Sequence, residues 1–192
     1  MTGPDSGLSR WEKQTRSSLA RTRVFDLDQV RYRHPRRGNE RDFVVLQPPD
    51  WVNVLALTPE HELVLVRQFR FGIDDFALEI PGGVIETGED RLVAGARELL
   101  EETGYQGSAV QLLGTVIPNP AIQSNRCHIA LVTGAVSVGA TTWDADEEIE
   151  ISLCPVDEVL AQARNGRIGH SLVLNALFLF EPWWRKMKGR GV

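Results

Sequence analysis

At 192 residues, 42% of them hydrophobic, the chain can bury one sizeable core. Its formal net charge of −5 leaves no strong positive field for non-specific contact with nucleic acid, so nucleic acid is not an expected partner. The first residues carry no apolar run behind their charges, and the apolar stretch 172–180 is too short to span a bilayer, which points to a cytoplasmic protein without membrane contact.

In chain order, short runs rich in Val, Leu and Phe at 23–27, 42–47, 52–57 and 63–68 predict strands. Turn signals at Arg37-Gly38-Asn39, Pro48-Pro49-Asp50 and Pro59-Glu60-His61 separate them, so this half is expected to be antiparallel. A short apolar piece at 77–80 leads into Pro81-Gly82-Gly83, where glycine permits a sharp turn and a close backbone approach. Thr87 and Asp90 have capping-box-like spacing, and Leu92, Val93, Ala96, Leu99 and Leu100 follow at helical period. A helix over about 90–103 follows, ended by Gly104 in the left-handed conformation. Strands at 110–115, 127–132 and 149–154 and helices at 156–164 and 171–184 complete the chain, with Cys127 and Cys154 as separate, reduced thiols inside strands. The sum is an α/β fold, an α/β/α sandwich with a mixed sheet over 51–192, preceded by an extension of antiparallel strands over 1–50.

The central helix is unusually acidic on one side. Glu98 and Glu102 stand four apart and Glu98 and Glu101 three apart, so their carboxylates crowd together and repel unless something positive offsets them. Arg97 can pair with Glu101, and converging hard oxygens suit Mg²⁺, with Mn²⁺ as the other candidate. A solvated acidic face is the alternative explanation for such a run.

The same residues belong to a longer pattern: Gly83, five residues, Glu89, seven residues, Arg97-Glu98-Leu99, one residue, Glu101-Glu102, one residue, Gly104, and then bulky Tyr105. At every fixed position this resembles the signature of the Nudix hydrolases. The resemblance implies the Nudix sandwich over 51–192 and cleavage of a nucleoside diphosphate linked to another group. It implies Glu98 and Glu102 as metal ligands, Glu101 as a further ligand or catalytic acid, the Gly82 carbonyl as a backbone ligand and Arg97 as the residue that orients the acids. Glu89 is implied to support the loop or to bind the ion indirectly.

Outside the box, Val66-Arg67-Gln68-Phe69-Arg70-Phe71 and Leu78-Glu79-Ile80-Pro81-Gly82-Gly83 look like the branch that hydrolyses ADP-ribose and other nucleoside diphosphate sugars. That likeness implies substrate contacts from Arg70, Gln68 and Glu79, a planar guanidinium being suited to the diphosphate. Pro120, sixteen residues after Gly104, also fits the branch, although Ala121 and Asn125 depart from its commonest pattern. Trp51 is expected either to stack on the base or to pack in the core. The acidic segment 144–150 resembles the branch's catalytic loop, with Glu147 as first and Glu148 as second choice for the general base. The branch also implies a homodimer through residues 1–50. Rival functions are a Nudix hydrolase of nucleoside triphosphates and a non-catalytic module that senses ADP-ribose.

Overall fold

The computed structural model describes residues 7–143 and 148–189. These divide into two compact units, one of residues 7–49 with 119–125 and one of 50–118 with the described residues from 126 onward. The first unit is an antiparallel sheet of β1 (Glu12–Arg21), β2 (Asp26–Arg33) and β3 (Glu40–Gln47) in that order. Every residue of β1 is exposed, so its sequence shows no alternation, and its ladder to β2 alone defines it. The strand predicted at 23–27 is replaced over most of its length by a turn. The Thr22 hydroxyl accepts hydrogen bonds from the backbone of Val24 and Phe25, at 3.2 and 2.9 Å, and this local pairing outcompetes the β propensity of Val24-Phe25. The segment 119–125 lies along the end of β3, with Leu46 N–H donating to the Ile122 carbonyl at 2.7 Å.

The second unit is built on a mixed sheet. Its strands are β4 (Trp51–Leu57), β5 (Glu62–Arg70), β6 (Asp75–Glu79), β7 (Gly82–Val84), β9 (Ala109–Val116), β10 (Cys127–Thr133) and β12 (Glu150–Pro155), while β8 (Tyr105–Gln106) and β11 (Val136–Ser137) form a small separate pair. The order β12-β5-β4-β10-β9 contains one parallel pairing, β4 with β10. Strand alternation sorts the core into two halves. Val52, Val54 and Ala56 pack with Ala94 and Leu99 of α1 (Arg91–Thr103). Leu55 and Leu57 pack with Val159 of α2 (Val156–Arg164) and with Val173 and Phe180 of α3 (Ser171–Lys188). The result is the α/β/α sandwich the sequence predicts. Both cysteines are buried, in β10 and β12, and burial pushes the Cys127 thiol up to about 12.

Two details position the site. β4 and β5 share the pair Leu57–Leu63 and then part, with β7 taking the place beside β4 and β6 the place beside β5. The sheet is therefore split where the glycines lie, and Gly82 and Gly83, predicted as a turn, instead pair with Asn53 and Val52. The second detail is the face that α1 presents. Asp90 is its N-cap, accepting from Leu92 N–H at 2.8 Å, so the expected capping role of Thr87 is not seen. The buried face is Ala94, Gly95, Leu99, Glu102 and Thr103, whereas Val93, Ala96 and Leu100 are exposed. Gly95 explains the rotation: a Cβ there would come within 3.2 Å of Val52 and 3.3 Å of Val54, so the helix approaches the sheet on its smallest residues.

Candidate active site

The site is assembled where β7 faces α1. Hydrogen bonds from Val54 N–H to the Pro81 carbonyl and from Ile85 N–H to the Asp50 carbonyl bracket β7, so Gly82 and Val84 fall at positions whose amide and carbonyl turn away from β4. Gly82 N–H donates to Glu102 Oε2 at 2.9 Å, and the Val84 carbonyl accepts from Arg97 at 3.1 Å. Between them Gly83 leaves space that Glu98 fills, since a Cβ at Gly83 would stand 2.4–2.5 Å from the Glu98 carboxylate. Glu98 and Glu102 thus rest on one glycine pair. Glu102 is only 5% exposed, a depth at which a carboxylate needs polar partners.

The end of α1 is held as well. Trp143 donates its indole N–H to the Glu102 carbonyl at 2.9 Å, Thr142 N–H reaches the Glu101 carbonyl at 2.8 Å, and Val138 N–H reaches the Gly104 carbonyl at 2.8 Å. These contacts satisfy carbonyls that the last turn of a helix otherwise leaves open. The sequence reading gave Trp143 no role. Its one signal was a bulky aromatic directly before the acidic segment.

Arg97 ties the remaining acids together. It forms a two-pronged pair with Glu89, at 2.9 Å for each prong, and reaches Glu98 Oε1 and Glu101 Oε2 at 2.9 Å each. Hydrogen bonds from Arg97, and a lesser one from the Glu86 backbone, hold the Glu89 carboxyl below its ordinary value, and the guanidinium is raised mainly by Glu89. Replacing Arg97 by Gln is expected to lower stability near neutral pH by about 1–3 kcal/mol, as charged hydrogen-bond partners lose their donor. A depressed carboxyl stabilises the fold above its unfolded value of about 4.5, and that contribution disappears as pH falls through the lower folded value. Urea unfolding across that range checks this: the gap between wild type and variant should close in acid, and a gap of constant width would contradict the coupling.

Arg70 and Glu79 belong to the same face of the sheet. Val64 packs toward α1, so Val66, Gln68 and Arg70 share its side, and Glu79 pairs with Val66. Arg70 grips Glu79 through two bonds of 2.7 Å, with Glu79 nearly buried. Both line a cleft of about 820 Å³ that opens at the split in the sheet, together with Trp51, Asn53, Gly82 and Gly83. Trp51 lies on the opposite side of β4 from Val52, packed against the core beneath α3 while contributing to this wall. Gln68 stands opposite Ala77 and is not part of the cleft wall. Pro120 is exposed in a turn of the first unit. Glu148 is exposed ahead of β12, and Glu147 lies outside the described residues.

The donor set suits a hard divalent cation. Among the described residues no three acidic, His or Cys side chains close into a ligand group. Two carboxylates and the outward-turned Gly82 carbonyl nevertheless match Mg²⁺, which keeps several waters and takes one or two carboxylates alongside phosphate oxygens.

Comparison with known proteins identifies the family and the fold. The NUDIX domain model matches residues 47–176. The methanol dehydrogenase activator of Bacillus methanolicus is 31% identical over 69% of this chain and 72% of its own length. The ADP-ribose pyrophosphatase of Bacillus subtilis is 30% identical over 60% of this chain and 63% of its own. The crystal structure of an ADP compounds hydrolase superposes with a TM-score of 0.83, at 22% identity, over 96% of this chain and 97% of that one. The family model spans more than half of the chain, including the glutamate-bearing helix, and the solved structure shares its fold: the chain belongs to the Nudix hydrolases.

Proposed function

We propose that the chain is a magnesium-dependent pyrophosphatase that cleaves a nucleoside diphosphate sugar such as ADP-ribose, yielding AMP and ribose 5-phosphate. The observation that carries this reading is the seating of Glu98 and Glu102 on Gly82 and Gly83. The similarity to an ADP-ribose pyrophosphatase supports the substrate class. In this reading Glu98, Glu102 and the Gly82 carbonyl hold Mg²⁺ or Mn²⁺, with Glu101 as a further ligand. The ion supplies charge neutralisation at the phosphoryl oxygens and acidifies a water. Arg97 keeps the acids aimed. Arg70, fixed by Glu79, meets the diphosphate, and Trp51 offers a flat face to the base. Glu147 or Glu148 takes the proton from the attacking water as the phosphoanhydride P–O bond breaks.

Incubation with Mg²⁺ and ADP-ribose, GDP-mannose, UDP-glucose, CDP-choline or deoxynucleoside triphosphates tests the proposal. Products from a diphosphate sugar are expected. Turnover of triphosphates alone would replace the reading, and tight ADP-ribose binding without product would indicate a sensor.

The proposal includes a cytoplasmic homodimer. Its support is the fully exposed β1 together with the exposed apolar side chains Leu19, Val24, Phe43 and Val44 in the same three-stranded unit, which association with another copy would cover. Sedimentation should give twice the 21.4 kDa chain mass, and an active monomer would remove this part.

A further inference from the structure

Arg70 spends its guanidinium fork on Glu79, at 2.7 Å through both Nε and Nη2. The wall of the same cleft includes a second arginine, Arg167, in the α2–α3 loop. Its backbone amide is used, donating to the Gln162 carbonyl at 3.0 Å and to Asn165 Oδ1 at 3.1 Å, which fixes the loop. Its guanidinium makes no hydrogen bond or ion pair with any described residue. His170, three residues on, lines the cleft too, and its Nδ1 is buried without a hydrogen-bond partner among the described residues. Buried polar atoms in folded proteins are nearly always satisfied, so this ring nitrogen is an exception within the residues that line the cleft. Gly166 and Gly169 complete this stretch of wall and carry no side chain to obstruct approach.

We propose that Arg167 and His170 form a phosphate-binding wall for the nucleotide part of the ligand, facing the cleft from the α2–α3 side. The inference rests on the nucleoside diphosphate reading above and adds the residues that recognise the anion. In a chain of net charge −5, a diphosphate gains from positive charge beyond that of Arg70, whose fork is shared with Glu79, and a planar guanidinium with open donors meets phosphate oxygens in paired bonds. His170, at the start of α3, lines the same stretch of wall, and its imidazole can carry an N–H on either ring nitrogen.

Calorimetric titration of the full chain with ADP and with adenosine, in chelator so that no turnover occurs, tests the wall separately from catalysis. Arg167→Gln is expected to weaken ADP binding about tenfold or more and to leave adenosine binding unchanged. Arg167→Lys should recover part of the loss, and His170→Asn, which keeps a good N-cap for α3, should weaken ADP by a smaller factor. ADP affinity in the wild type should also fall more steeply with added salt than in Arg167→Gln. Unchanged ADP affinity, or equal losses for ADP and adenosine, would overturn the assignment. If the substrate panel gave no product while ADP affinity still dropped in Arg167→Gln, the hydrolase reading would fail and the phosphate wall would stand.

Discussion

Glu102→Gln is expected to lower kcat by at least about 10²-fold, because in the proposed mechanism this carboxylate would help hold a cation that contributes several kcal/mol to transition-state charge stabilisation. The fold should survive. The Gln side-chain oxygen can still accept the 2.9 Å bond from Gly82 N–H, and the indole bond from Trp143 goes to the backbone carbonyl, which the substitution does not alter. Steady-state kinetics beside a thermal melt checks both halves. Near-normal turnover would remove Glu102 from the metal site, and a collapsed melt would show that its charge serves the fold instead.

The glycine pair separates architecture from chemistry in a second experiment. At Gly82 a Cβ would stand 2.3 Å from the Val52 carbonyl oxygen and 2.9 Å from the Asn53 Cα, both backbone atoms of β4 that can yield only if the strands move. Gly82→Ala is therefore expected to destabilise the protein by about 1–3 kcal/mol, each kcal/mol lowering Tm by about 2–4 °C in a domain of this size. At Gly83 the obstruction is the tip of a side chain, the Glu98 carboxylate, which can swing aside. Gly83→Ala should melt close to wild type yet lose about 10²-fold in rate, since a displacement of about 1 Å at a catalytic group has that effect. If Gly83→Ala kept full activity, the placement of Glu98 would be irrelevant to catalysis.

The acidic helix was legible because what defines it is local: the residue spacing and the Gly104 stop lie within a few turns, and only its cap moved, from Thr87 to Asp90. Its orientation was legible only in part. Hydrophobic periodicity gave Leu92, Val93, Ala96, Leu99 and Leu100, of which Leu99 is buried and Leu92 packs against the core, but Val93, Ala96 and Leu100 face out because Gly95 brings the helix close to Val52 and Val54. β1 was invisible for a related reason, since ten exposed residues carry no pattern and only the ladder to β2 defines them. At the site, Arg70 and Glu79 were each singled out as separate substrate contacts. Their mutual grip depends on the β5–β6 register, which single-sequence spacing does not reveal.

Because Glu89, Glu98 and Glu101 all lean on one guanidinium, none of them is an independent variable. Removing one acid frees Arg97 to tighten on the other two, and removing the arginine takes the shared donor from all three at once. Single and double substitutions in this quartet will fail to add. A drifting sequence can thus exchange these four residues only in concert, through intermediates that are each worse than either end point.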